Sequence, residues 1–281
     1  MIARFIGDQH LSRFLDDFVF LFERIRREKG ELDLRLRKDY FNLYYKGNSL
    51  AMVKVEKAPY QIKINNKFAH EGFGKIADAN GDSDYRTYSV PPERLHSFFS
   101  KANIDKSFAA IKHVHYSEEL SLEQMLITDN FDREDFLVID RQVQDKSLGA
   151  GRIDLLGLRQ VLGHQNLYHF LIMEIKVGNN PELHGKVGAQ LARYKKAFDT
   201  HFDEVKACYE RTYRQMKQTR VFPRPTVDAI EIVRPVDALV VVFGYSGIAD
   251  SALKNLRGEY PEIHIIQWRL KIPGLGKPNS D

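Results

Sequence analysis

The segment HFLIMEIKVG, residues 169–178, constrains this chain more than any other stretch. Residues 170–173 form an unbroken apolar run, the pattern of a strand covered on both faces within a mixed or parallel sheet. The run then breaks its own rule, because Glu174 and Lys176 stand where a plain core would place two more aliphatic side chains. Residues two apart on a strand share a face, so these two charges project together while Ile175 packs on the other side. Taking such a pair out of water costs several kcal/mol unless a further group compensates. A divalent cation would compensate.

The preceding apolar stretch, GRIDLLGL at residues 151–158, repeats the anomaly. Asp154 interrupts Ile153, Leu155, Leu156 and Leu158, just after Gly149 and Gly151, which permit a tight approach turn. If the polar loop 159–166 joins two neighbouring strands, Asp154, Glu174 and Lys176 converge at one sheet edge. Two carboxylates with open positions suit Mg²⁺, with Mn²⁺ as a substitute, since that ion keeps several waters and takes one or two carboxylates plus a substrate phosphate. Such an ion neutralises a phosphodiester and activates a water, while the lysine orients that water or stabilises the developing charge. The chemistry implied is phosphodiester hydrolysis.

With Asp154, then Glu174-Ile175-Lys176, then a Gln-x-x-x-Tyr at Gln190 and Tyr194, the middle of the chain resembles the PD-(D/E)XK nuclease superfamily in its RecB-type form. The resemblance implies an α/β (α+β) core, a restriction-endonuclease-like mixed sheet flanked by helices. It also implies Asp154 and Glu174 as metal ligands, Lys176 as the catalytic lysine, and Gln190 and Tyr194 as residues that place the substrate strand or support the site. The proline that the family carries before its aspartate is here Ile153. The family also tends to draw an acidic residue from the helix before the sheet. That helix reads as SEELSLEQMLITDN, with Ser117 as N-cap and apolar positions at Leu122, Met125 and Leu126. Glu119 falls near its inner face and takes the role of third metal ligand, ahead of Glu118 and Glu123.

The rest of the chain divides at about residue 112 into an N-terminal helix and β-meander module for recognition, dimerisation or regulation (1–112), a nuclease domain (113–272) and a tail (273–281). Residues 8–29 read as one amphipathic helix, with Leu11, Phe14, Phe18, Leu21 and Ile25 at three- and four-residue steps and Gly30 as its stop. Alternation from Leu32 to Ile64 then reads as an antiparallel meander, with Arg35, Arg37, Lys46, Lys54, Lys63 and Lys67 largely on or near its solvated face. Residues 70–90, rich in Gly, Asp and Asn, read as a loop or linker. In the second part, residues 136–143 form the first strand, residues 182–220 a long helical stretch, and DALVVVFGYS, ADSALKNLRGEY and EIHIIQWRL a strand, a helix and a last strand.

The net charge of +4 is compatible with a polyanionic partner without establishing one. A single cysteine, Cys208, excludes an intrachain disulfide and a cysteine-based zinc site, and it suits a reducing cytoplasm. No run is long enough to span a bilayer, so no membrane association is expected. The expectation is a cytoplasmic Mg²⁺-dependent endonuclease acting on DNA, in restriction, defence or repair, with a homodimer as one possible assembly. The alternatives are a catalytically degenerate module that binds nucleic acid or a partner protein on the same fold, and a nuclease directed at RNA.

Overall fold

The alternating segments do become strands, and these sort into two six-stranded sheets flanked by helices. The structure, a computed structural model, describes residues 2–77, 79–81, 84–114, 118–145, 148, 149 and 151–270. The helical start is not one helix but two, α1 (Asp8–Asp17) and α2 (Val19–Arg27). On a straight helix, residues four apart drift by about 40° around the axis, so Phe14, Phe18 and Phe22 would fan away from a single surface. A break at Phe18 (φ −112°, ψ 10°) lets both helices face the same aromatic cluster. Phe14 and Phe18 lie 5.4 and 5.0 Å from the ring of Phe41, and Phe18 lies 5.1 Å from that of Tyr60.

The meander comprises β1 (Leu32–Arg37), β2 (Tyr40–Tyr45), β3 (Asn48–Lys54) and β4 (Tyr60–Asn65). Residues 70–90 are no simple linker: they hold α3 (Glu71–Gly74), β5 (Ala79–Gly81) and β6 (Tyr85–Val90), which complete the sheet in the order β1-β2-β3-β4-β6-β5. Tyr88 and Val90 are buried in the same core as the meander, and β6 pairs with β4 from Tyr60↔Val90 to Asn65↔Tyr85. A short 3₁₀ turn at Pro92–Arg94 leads into α4 (Leu95–Phe98), α5 (Lys101–His113) and α6 (Glu118–Asp129). Ser117, expected to cap α6, lies outside the described residues.

The second sheet contains β7 (Phe136–Gln144), β8 (Arg152–Gln160), β9 (Leu167–Val177), β10 (Glu231–Ile232), β11 (Asp237–Phe243) and β12 (Ile263–Trp268). Its order is β12-β11-β9-β8-β7, with β10 pairing at the start of β9. β8 runs antiparallel to both β7 and β9, whereas β9, β11 and β12 run parallel, which makes the apolar run of β9 a central strand. The long helical stretch divides at His201 into α7 (Lys186–Thr200) and α8 (Phe202–Thr219). Together with α9 (Ser246–Glu259) they cover one face, where Phe170 meets the rings of Phe198, Phe202 and Tyr209. On the other face, Leu122, Leu126 and Ile127 of α6 pack with Val138, Leu155, Leu171, Met173 and Ile175.

One continuous apolar core runs from Ile2 through both sheets to Ile263. Across it, β1 is fully buried, so Arg35 and Arg37 are not on a solvated face as their place in the alternation suggests; they are 1% and 5% exposed. They face β7 beside its register irregularity at Val138/Asp140, where that strand offers polar groups to β1. Arg35 Nη1 donates to Val138 O at 2.6 Å, and Arg37 donates to Asp140 Oδ1 at 2.6 Å and to Arg141 O at 2.9 Å. Guanidinium groups whose several donors meet carbonyl and carboxylate acceptors tolerate burial where lysines would not.

Candidate active site

In the antiparallel pairing of β8 with β9, Leu155 lies opposite Met173 and Leu156 opposite Ile172. Continuing that register by one residue sets Asp154 opposite Glu174. On the other flank of β9, parallel β11 puts Val240 beside Glu174 and Val242 beside Lys176. The structure therefore brings Asp154, Glu174 and Lys176 together at the strand ends, each of them buried. Lys176 Nζ lies 3.1 Å from Glu174 Oε2, 3.3 Å from Glu182 Oε2 and 3.8 Å from Asp154 Oδ2. Asp154 Oδ2 accepts a hydrogen bond from the Ile175 N–H at 3.0 Å, which orients that carboxylate. Glu174 Oε1 is buried with no hydrogen-bond partner.

The electrostatics follow from this crowding. Burial, and after it the charge of Asp154, push the Glu174 carboxyl well above the usual carboxylate range, to about 8, against the pull of Lys176. Burial alone would lower Lys176, but Glu174, Asp154 and Glu119 outweigh it and raise the ammonium above its ordinary value. The two groups are linked, because a proton taken up by Glu174 removes part of the field that holds Lys176 charged. Asp154 and Glu119 maintain the rest of that field.

α6 reaches the site with two glutamates one turn apart. Glu119 Oε1 accepts from Asn180 Nδ2 at 2.7 Å, and Glu118 is exposed. Glu123 is buried, accepting from Arg141 Nη2 at 2.9 Å and from Gln142 Nε2 at 2.7 Å. Burial raises its carboxyl to about 7, with Asp154 adding to the effect and Arg141 opposing it. The inner face of α6 thus differs from the apolar positions read in sequence, since Met125 is half exposed while Glu123, Gln124 and Ile127 are buried. Polar partners explain the exchange: Arg141 donates to both Glu123 and Gln124, and Gln124 Nε2 donates to Gly30 O at 2.6 Å.

α7 supports the strand that carries the aspartate. Tyr194 Oη donates to Arg152 O at 2.7 Å and receives Gln190 Nε2 at 2.8 Å. Gly151 (φ +92°) makes this approach possible, because a Cβ there would stand 3.2 Å from Tyr194 Oη. Tyr194 is buried and Gln190 half-buried, so the geometry assigns this pair to bracing β8 at Asp154.

Sequence reasoning missed Glu182 and Asn180 as neighbours of the site, and Arg141 and Gln142 as the groups that hold Glu123. Asn180 and Glu182 belong to the turn after β9, where the Asn180 side chain accepts from the Glu182 N–H and folds the segment back over Lys176. The one available signal was Asn-Pro at 180–181, which marks a turn but not its direction. Gln142 adopts a left-handed backbone (φ +50°) in the irregular strand β7, a conformation that periodicity does not reveal.

Among the described residues, no three of His, Cys, Asp and Glu converge as a metal cage. Asp154 and Glu174 nevertheless fit a hard divalent ion of the magnesium type, which needs only one or two carboxylates, and the unpartnered Glu174 Oε1 is a donor available to it. No model of a known protein family, no curated protein and no solved structure matches the chain. Among the described residues, no helix is long and apolar enough to cross a membrane.

Proposed function

We propose that the chain is a Mg²⁺-dependent nuclease with a restriction-endonuclease-like core, hydrolysing DNA phosphodiester bonds at Asp154, Glu174 and Lys176. One observation carries the reading: two buried carboxylates face one lysine, and one carboxylate oxygen, Glu174 Oε1, is left without a partner. Among the buried, unpaired side-chain atoms of the described residues, Glu174 Oε1 is the one carboxylate oxygen, and a buried carboxylate oxygen without a partner is costly unless a cation meets it. The order of Asp-bearing strand, Glu-x-Lys strand and Gln-x-x-x-Tyr helix also supports it.

In this mechanism Asp154 and Glu174 would hold the ion, which would supply Lewis-acid polarisation of the phosphoryl oxygen and a more acidic water. Without the ion, Glu174, Asp154 and Glu119 hold Lys176 protonated, and the mechanism uses it as a positive charge. It stabilises the negative charge that grows on the phosphoryl group as a water oxygen bonds to phosphorus. The bond from phosphorus to the leaving sugar oxygen breaks, that oxygen takes up a proton, and the attacking water gives one up. Ile175 N–H and the Tyr194–Arg152 brace keep Asp154 in place throughout.

The test is incubation of the purified chain with supercoiled plasmid, linear duplex, single-stranded DNA and RNA, in Mg²⁺, Mn²⁺ or EDTA, beside Lys176→Ala. Metal-dependent DNA cleavage that disappears in the variant is the expected result. Cleavage that survives Lys176→Ala at the normal rate would refute the site, and cleavage confined to RNA would reassign the substrate.

A further inference from the structure

We propose that Tyr245 is a stacking platform for an unpaired base of the nucleic-acid substrate, so that the site takes single-stranded or locally opened strands. The inference rests on the nuclease reading and extends it to the form of the substrate.

Tyr245 is an expensive choice for its position. It precedes α9 in the left-handed region (φ 44°, ψ 39°), and its side chain makes no capping hydrogen bond. A bulky residue is a conformational outlier there, whereas glycine adopts the region freely. Packing would offset the strain if the ring were buried, but Tyr245 is 51% exposed. Local structure thus gives a reason for a left-handed residue and none for an aromatic one.

Its placement supplies the reason. Glu174 and Lys176 share one face of β9, and alternation puts the missing side chain of Gly178 next on that face. A Cβ on Gly178 would stand 2.4 Å from Gly244 O and 3.1 Å from Tyr245 Cβ, so the turn from β11 into α9 occupies that space. The Gly178 N–H donates to Phe243 O at 2.9 Å and the Gly244 N–H to Trp268 O at 3.0 Å, which ties the turn to strands on both sides. Tyr245 therefore stands about two residues, roughly 7 Å of strand rise, beyond Lys176 along the face that carries the catalytic pair. A strand whose phosphate meets Lys176 brings a neighbouring base within reach of that ring.

Stacking on an aromatic side chain is tolerant of sequence, because every base has a π face, and removing the ring weakens binding by about 5- to 100-fold per base. A base inside an intact duplex offers no free face, hence the preference for unpaired nucleotides.

The experiment measures binding of labelled oligonucleotides by fluorescence anisotropy with Ca²⁺ replacing Mg²⁺, using the full chain and Tyr245→Ala, Tyr245→Gly and Tyr245→Phe. The two small residues are expected to weaken single-strand binding about 5- to 100-fold, and Phe to retain it. Tyr245→Gly is expected to melt no lower than the wild type, which separates lost stacking from lost folding. A single abasic site moved along the oligonucleotide should weaken wild-type binding at one position and have no effect there in Tyr245→Ala. Wild-type binding in Tyr245→Ala, a flat abasic scan, or tighter binding of blunt duplex than of single strands overturns the stacking proposal. If metal-dependent cleavage is at the same time lost in Lys176→Ala, the nuclease reading stands without it. Absence of both binding and cleavage on every nucleic acid overturns the two together.

Discussion

Glu123 offers the sharpest test of how the site is built, because burial and an ion pair act on it in opposite directions. Its carboxyl is buried, accepts from Arg141 and Gln142, and is held near 7 against an ordinary value of 4.5. Burial, aided by Asp154, therefore outweighs Arg141. Because the folded value is raised, this group's contribution to stability is fully present below pH 4.5 and is lost as pH rises towards 7. Each pH unit in that window costs about 1.4 kcal/mol, so stability should fall by roughly 2–3 kcal/mol between about pH 5 and pH 8 through this side chain alone. Glu123→Gln is neutral throughout and removes that component. Any misfit of the amide against Arg141 and Gln142 is a constant offset, so the slope and not the absolute difference carries the test. Urea denaturation of both proteins at a series of pH values from about 5 to 8 measures it. The variant is expected to gain roughly 2–3 kcal/mol on the wild type across the series. Parallel curves would refute the reasoning, and a wild type that gains on the variant as pH rises would show that the Arg141 pair dominates burial.

Mg²⁺ affinity should rise with pH through the window set by the raised Glu174 carboxyl, because the ion displaces its proton; calorimetry in buffers of different ionisation enthalpy should detect proton release, and a flat profile would count against Glu174 as a ligand. Tyr194→Phe removes the donor to Arg152 O, a part-buried bond at the exposed start of β8; denaturation should show a loss of about 0.5–1.5 kcal/mol, and an unchanged midpoint would remove Tyr194 as a brace. Arg37→Ala removes the nearest cation from buried Asp140 and leaves it to Arg4, the Tyr209 hydroxyl and the Arg141 N–H; denaturation should show a loss of about 3 kcal/mol, and an unchanged midpoint would show that these remaining partners suffice. Mg²⁺ should raise the melting temperature of the wild type but not of Asp154→Ala or Glu174→Ala, and an equal rise in all three would move the ion elsewhere.

Much of the second sheet was legible because its signals are local. An apolar run, an alternating run and a helical period each report the environment of one element, and β9, β11, α9 and β12 fall where those patterns put them. The first sheet was harder. β6 hides beyond a Gly- and Asp-rich segment, and its partner β4 is chosen by pairing across sequence that composition marks as loop. The break at Phe18 was invisible because the helical period continues through it, and the aromatic cluster that selects it lies on other elements.

By itself the sequence determined that charges interrupt two apolar strands and that Asp154, Glu174, Lys176, Gln190 and Tyr194 are the residues to watch. Asp154, Glu174 and Lys176 each depart from a short-range pattern, visible one element at a time, whereas Gln190 and Tyr194 follow the helical pattern of α7 and were singled out by the family resemblance alone. Tertiary structure alone decided what surrounds them: that Glu182 closes over Lys176, that Arg141 and Gln142 bury Glu123 beside Asp154, and that Arg35 and Arg37 face another sheet. A lysine or arginine on an alternating strand reads as a solvated charge until a second surface arrives with acceptors placed to receive it. That placement depends on register and on a strand irregularity in β7, and neither leaves a local trace in the residues that answer to it.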